Sequence, residues 1–453
     1  MKKRILVLLA SAAMIFTAGC GETPQLLEFI DPDASNAKLN LDGKTFLVSS
    51  GWEDNFHIPE DYESVPSQVL ELRHDRWAVA EKEFNMVVKF DNKDPFTRIS
   101  AGYGAHELID NELNLIYDYY KSGIIVPLEE IPTINLNDEK WGNKSFIKYG
   151  NFNGKQYGFY PWNWMDPEVQ GAMMFNGKLV KSLGGTVPYE YQESGTWNWE
   201  TFENELKKYP ETVGDTEINP INAQSYEVLG FAALHSNGLS TIIGDEESGY
   251  EFGFNNPKAY ETIDWLRNIY EQGLLGTDTM ESFTRYEKSV YYIGESYYGT
   301  ARNPNSNSPY APLVMEDYGF ITFPTGPDGT ENDTGGYTYG SRRLLTVSGL
   351  ANLELNEIGT VINFVFAPLE GYEGPTWEYE LKNLVLQSEE SYNNWLRMIE
   401  NAEYNYSTQL EKTIDKINTA LFQAITGKKT PTVALSEIAP NVNDNASQMT
   451  MGE

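Results

Sequence analysis

The sequence predicts an α/β protein built as two lobes, and two observations predict it. Short β-prone runs alternate with stretches of helical apolar spacing, the pattern of helices flanking a sheet. The chain has 453 residues, too many for one ordinary hydrophobic core.

The N-terminus is set apart from that body. Lys2, Lys3 and Arg4 precede a short apolar run from Ile5 to Phe16, and Thr17-Ala18-Gly19 supplies small residues. The run falls short of the roughly 20 residues a membrane span needs, so residues 1–19 read as a secretory signal outside the fold. Cys20 is the only cysteine, which leaves no intrachain disulfide to shape the body. Ala18-Gly19-Cys20 resembles the end of the lipobox of bacterial lipoproteins. That resemblance implies lipid on the Cys20 sulfur and anchoring through acyl chains, with no protein span. Thr17 departs from the pattern, which prefers an aliphatic residue there. Residues 20–42 are polar and read as a lipidated tether. Asp31, Asp33, Ser35 and Asp42 echo a calcium loop, but Asn36 stands where the tight turn needs glycine and Pro32 intrudes, so no metal is expected.

The ordered body begins near Lys44. Thr45 to Ser50 is β-prone and ends at Gly51-Trp52. Val65, Val69, Leu72, Val79, Ala80 and Phe84 lie at helical spacing, and Met86 to Phe90 is a second β run. Leu108, Leu115, Ile116 and Tyr119 predict another helix, stopped by Gly123. Further on, Thr196 is the expected cap of a helix from Trp197 to Lys208 closed by Pro210. Asn256-Pro257 opens a helix ended by Gly273. A third begins at Asn356. Thr408 and Glu411 look like a capping box leading Leu410, Ile414, Ile417, Leu421 and Ile425 along one face. Residues from Asn441 onward are polar and are expected to fray.

Charge narrows the function. Asp and Glu number 66 against 33 Lys and Arg, a formal net charge of −33, which argues against nucleic acid and anionic lipid as partners. Aromatic residues make up 13%, including 29 Tyr and 10 Trp, more than a core alone needs and suited to half-wet binding surfaces.

Several segments, in order, resemble the extracellular solute-binding proteins of ABC importers, in the family that includes maltose-type sugar binders. Gly154-Lys155-Gln156-Tyr157-Gly158-Phe159-Tyr160-Pro161 resembles a strand motif of that family. Met174-Phe175-Asn176-Gly177-Lys178-Leu179 and Gly195-Thr196-Trp197-Asn198-Trp199-Glu200-Thr201-Phe202 are similar to its next two segments. Phe283 to Tyr298 and Tyr318 to Gly329 occupy the places of its later ones. Ser100 to His106 stands where the family has a loop ending in Pro-Asp, and lacks both. The resemblance implies a two-lobed periplasmic-binding-protein-like type II fold with the ligand in a cleft between lobes. It implies a first lobe of 43–160 and 324–367, and a second of 161–323 and 368–453. Phe159-Tyr160-Pro161 and Thr322-Phe323-Pro324 are then the hinges, which absorb backbone rotation.

Sugars offer apolar C–H faces and a rim of hydroxyls, so a binder needs aromatic rings and polar groups on loops. Trp52 and Asp54 follow the first strand. Trp162 and Trp164 follow the first hinge. Tyr297 and Tyr298 stand at the family's aromatic position. Tyr339 and Arg342 lie on the loop after the second hinge, where Arg can hold two acceptors at once. Trp77, Trp197 and Trp265 fall on helices and read as core. No metalloprotease helix, nucleophile elbow or phosphate-cradling glycine loop is present, and the four His show no ligand spacing. The expectation is therefore a non-enzymatic monomer, without cofactor, that captures a carbohydrate for an ABC permease at the extracytoplasmic face of the cell membrane. A surface glycan-degrading enzyme and the ligand-binding subunit of a sensor stay open as alternatives.

Overall fold

The computed structural model describes residues 39–51, 55–59, 67–209, 212–245, 248–301, 309–338, 343–404 and 410–449. Ten strands form its two main sheets: β1 (Thr45–Ser49), β2 (Val87–Asp91), β3 (Leu108–Glu112), β4 (Gly158–Phe159), β5 (Ala172–Asn176), β6 (Asn219–Ala223), β7 (Leu275–Thr277), β8 (Ser289–Gly294), β9 (Tyr318–Ile321) and β10 (Arg343–Val347). The principal helices are α1 (Gln68–Phe84), α2 (Leu113–Lys121), α3 (Pro188–Glu193), α4 (Trp199–Leu206), α5 (Tyr226–Ser236), α6 (Pro257–Glu271), α7 (Leu355–Val365), α8 (Glu389–Glu400), α9 (Glu411–Ile425) and α10 (Pro431–Met449).

The two sheets follow one plan. The first runs β2-β1-β3-β10-β4 and the second β7-β6-β8-β5-β9. In each, the first three strands are parallel, the fourth is antiparallel to them, and the fifth is antiparallel to the fourth. The antiparallel strand is in both cases the one by which the chain arrives from the other lobe. β4 leaves the first sheet at its carboxyl edge, and β5 enters the second beside Gly294, the carboxyl end of β8. β9 leaves the second sheet at Ile321, and β10 enters the first with Arg343 opposite Glu112, the carboxyl end of β3. Both crossings therefore join the carboxyl edges of the two sheets, and those edges meet at the junction of the lobes.

Each lobe has its own core, and a third cluster ties them. Phe46, Val48, Trp77, Phe84, Leu345 and Phe366 belong to the first. Phe175, Phe202, Ile221, Ile263, Tyr291 and Leu421 belong to the second. The third mixes Ile109, Phe146 and Tyr160 of the first lobe with Met174, Phe320 and Trp395 of the second. Local chemistry sets the elements. The Ser67 hydroxyl accepts from Leu70 N–H to start α1, and Asn85 ends it at φ 49°. The Asn256 side chain caps α6 with Pro257 in its first turn, the arrangement expected from a proline that needs no amide partner there.

Four sequence expectations are corrected. Leu108 lies on β3, and the helix starts only at Leu113; a single apolar residue in register with α2 extended the helical period over a strand. The helix expected at Trp197 begins at Trp199, because Asn198 is the residue whose side chain caps it, accepting from Thr201 N–H at 3.0 Å. α9 has Leu410 at its cap with no side-chain hydrogen bond, and Thr408 lies outside the described residues. The expected frayed end is α10, which runs to Met449. Leu435, Ala439, Val442 and Ala446 are fully or almost fully buried at helical spacing, a stripe hidden among Asn and Asp.

The second crossing also differs from the expected hinge at Thr322-Phe323-Pro324. Phe323 is buried in the second core. Thr325 N–H donates to Trp197 O, and Trp199 N–H donates back to Thr325 O. Tyr337 still bridges to Gln170. The chain thus stays with second-lobe elements through Tyr337 and stands in the first sheet from Arg343.

Candidate ligand site between the lobes

In open α/β sheets a ligand sits outside the carboxyl ends of the strands, and here the crossings bring two such edges together. On the first lobe the edge is polar and already paired. Asp110, on β3, is buried. Its carboxylate accepts from Ser50 Oγ at 2.6 Å and from Arg343 Nε at 2.7 Å, while Arg343 Nη2 donates to Asp110 O at 2.6 Å. Arg343 Nη1 lies 3.8 Å from Glu112 Oε1. Burial pushes the Asp110 carboxyl up from its ordinary range, and Arg343 and Ser50 oppose that.

A second polar knot closes the end of β2. Asp91 holds His106 Nε2 at 2.8 Å and Arg98 Nη1 at 3.0 Å. Its backbone carbonyl accepts from Ser50 N–H, which links the two knots. His106 is fully buried, and burial lowers its pKa against the pull of Asp91.

On the second lobe the edge is aromatic. A short 3₁₀ turn, Ser296–Gly299, follows β8. Ser296 is buried and anchors the turn to the crossing chain, since its N–H donates to Val169 O and its Oγ accepts from Val169 N–H at 3.0 Å. That anchor carries Tyr297 and Tyr298, both half-buried. Tyr297 and Tyr310 are hydrogen-bonded through their hydroxyls, with ring centroids 4.9 Å apart and planes at 65°. Tyr298 lies 5.2 Å from Tyr297. Burial raises the pKa of both Tyr297 and Tyr298, so these hydroxyls are neutral donors at ordinary pH. Gln224, next to the end of β6, reaches Glu295 with its amide at 3.4 Å.

Trp162 and Trp164 fall elsewhere. Trp164 has no exposed surface, packs on Phe366 at 4.9 Å, and donates from Nε1 to Ala367 O at 3.3 Å. Trp162 is buried in the junction cluster. Its ring meets Trp377 edge-on at 5.3 Å, and its carbonyl accepts from Trp377 Nε1 at 2.7 Å. Trp377 in turn touches Trp395 of α8. Trp52, Asp54, Tyr339, Arg342 and Cys20 lie outside the described residues. In the chain, Trp52 and Asp54 follow β1, and Tyr339 and Arg342 precede β10. The sequence reading passed over Asp110, Arg343, His106 and Tyr310. Asp110 was concealed by the helical reading of its segment, and Arg343 is the neighbour of the arginine chosen. Nothing short-range marks Tyr310.

The first lobe's edge thus offers hydrogen-bonding groups and the second lobe's edge flat rings. Among the described residues, no three of His, Cys, Asp and Glu converge to hold a metal ion, and no helix is long and apolar enough to cross a membrane.

No family model matches the chain, and no curated protein does. Solved structures match along most of its length. The sugar-binding protein MalE from the phytopathogen Xanthomonas citri superposes with a TM-score of 0.62 at 13% identity, covering 89% of this chain and 98% of that one. The cyclic alpha-maltosyl-1,6-maltose binding protein from Arthrobacter globiformis gives 0.61 at 13%, covering 90% and 100%. UgpB from Mycobacterium tuberculosis in complex with glycerophosphocholine gives 0.57 at 13%, covering 84% and 96%. The chain has the two-lobed fold of these binding proteins.

Proposed function

We propose that this protein captures a carbohydrate outside the cytoplasmic membrane and delivers it, unaltered, to the permease of an ABC importer. One observation carries the reading: both crossings join the carboxyl edges of the sheets, and the edges so joined pair a hydrogen-bonding wall at Asp110 and Arg343 with half-buried rings at Tyr297, Tyr298 and Tyr310. Rings take the apolar face of a sugar, and the exposed parts of Arg343 and Glu112, held in place by Asp110, take its hydroxyls. Two of the named structures are described as binding sugars, which supports the ligand class. Trp52, Asp54, Tyr339 and Arg342 complete the site in this reading, while Trp162 and Trp164 stiffen the crossing instead of meeting ligand. Cys20 carries the lipid that holds the protein at the membrane face.

A ring stack and several hydrogen bonds, less the cost of closure, leave about micromolar affinity, roughly −8 kcal/mol. A thermal-shift and calorimetric screen tests the reading. Linear and cyclic maltodextrins are run against glycerophosphocholine as the competing polyol ligand. Saturable binding of a saccharide, with the saccharide recovered intact after prolonged incubation, is the expected result. Binding of the phosphodiester alone, or cleavage of the bound saccharide, would overturn it.

A further inference from the structure

We propose that a second concave surface, on the second lobe alone, docks a basic segment of a partner protein. The groove has a volume of about 1350 Å³, larger than the roughly 300–1,000 Å³ of ordinary small-molecule pockets. Its walls come from α3, the entrance to α4, α6, residues 322–334 and α8, with nothing from the first sheet or the helices on it. A surface built by one lobe keeps its shape whether the lobes are open or closed.

Its floor is aromatic. Trp199 and Trp265 stack face to face, with centroids 4.0 Å apart and planes at 3°. Trp199 is fixed from behind, where Nε1 donates to Ser236 Oγ at 3.3 Å and its N–H to Thr325 O at 3.2 Å. Trp265 is half-buried. Trp197 closes one side, its Nε1 donating to Thr322 O at 2.8 Å. Trp197 is a buried member of the second core and Trp265 packs against that core, as the sequence reading expected, and both also line the groove.

The occupant follows from which polar groups are already committed. Gln192 and Asn394 exchange a reciprocal amide pair at 2.7 and 2.8 Å. Asn198 is spent on capping α4. Glu203 is held by Lys207 at 2.6 Å, and Glu331 lies 3.4 Å from Arg397, the groove's basic side chain. Glu190, Glu193, Glu200 and Glu390 are exposed and form no salt bridge among the described residues. What the groove has left to offer is negative charge above an indole floor. The complement is an ammonium or guanidinium on an apolar stem, since the carboxylates take the charge and the indoles take the stem and the cation. Four such carboxylates spread along a groove of this size fit several basic side chains in series, which a peptide segment carries.

The test uses the mature full-length chain and a fluorescent octapeptide of alternating lysine and alanine, followed by anisotropy at about 0.15 M salt, where the screening length is about 8 Å. Saturable one-to-one binding is expected. Glu190→Gln/Glu193→Gln/Glu200→Gln should weaken it at least about tenfold, and Trp265→Ala should weaken it as well. A control variant, Glu71→Gln/Asp75→Asn/Glu83→Gln, removes the same charge from exposed positions of α1 on the first lobe and should leave binding unchanged. Equal loss in the two triple variants would reduce the effect to bulk attraction by an acidic chain and overturn the proposal, as would absence of saturable binding. Saccharide binding by the groove variant should match the parent, so failure here and failure of the proposed capture function are separate results.

Discussion

The two lobes share one strand plan and differ in what they set at the common edge. The first lobe's edge groups are bound to each other: Asp110 to Arg343 and Ser50, Asp91 to Arg98 and His106. The second lobe's edge presents rings that are only half covered. The lesson is that scaffold and recognition separate. The same β-order supports a stiff, satisfied polar wall in one half and an apolar contact surface in the other, so a residue's worth depends on which wall it stands in and how deep.

The largest effects should come from residues that hold the scaffold. Trp164→Ala removes a fully buried indole from the first core, and should cost about 3–5 kcal/mol of unfolding free energy. Urea titration checks it, and a loss under 1 kcal/mol would place Trp164 outside the packed core. Arg343→Met leaves Asp110 buried without its cation, at a cost of about 3 kcal/mol. The double variant Asp110→Asn/Arg343→Met should recover at least half of that, because the uncompensated carboxylate is gone. No recovery would mean that the pair contributes through packing alone.

Acid should strike the second lobe through His235. This side chain is buried among Phe231, Phe254 and Tyr337, and neither ring nitrogen has a hydrogen-bond partner among the described residues. Burial pushes its pKa down to about 4 from an ordinary value of 6.5. Between those values the unfolded chain holds a proton that the folded one refuses, so stability falls as pH drops from 6.5 towards 4. The loss integrates to roughly 3 kcal/mol. His235→Gln should flatten that part of the stability-against-pH curve relative to the parent. An unchanged slope would assign the acid sensitivity to other groups, His106 first, whose pKa burial also lowers.

Much of this fold was legible because it rests on local chemistry. β1 and β2 follow from short β-prone runs, α1 from apolar residues at helical spacing, and α6 from an Asn-Pro start. The sequence misled where a feature depends on distant partners. Trp162 and Trp164 look like binding-site residues beside a Pro, yet Phe366, Ala367 and Trp377, some two hundred residues away, enclose them. The second crossing was placed early because the resemblance put it at Thr322-Phe323-Pro324, whereas Trp197 and Trp199 keep that segment in the second lobe. Asp110 was missed for a different reason. A strand that passes directly into a helix blends two periods, and the longer one dominates the reading.

The smallest effect on folding should accompany a large effect on capture, and it sharpens the contrast between walls most directly. Tyr297 is half-buried on a turn whose anchor is Ser296, not the ring itself. Tyr297→Ala should therefore leave the unfolding free energy within about 1 kcal/mol of the parent. It should weaken the best saccharide from the screen more than about tenfold, a change of at least about 1.4 kcal/mol. Tyr297→Phe keeps the flat face and loses the hydroxyl bond to Tyr310, so it should retain most of the affinity if ring contact is what counts. If Phe loses as much as Ala, the second wall works through hydrogen bonds as the first does, and the two walls differ in burial but not in kind.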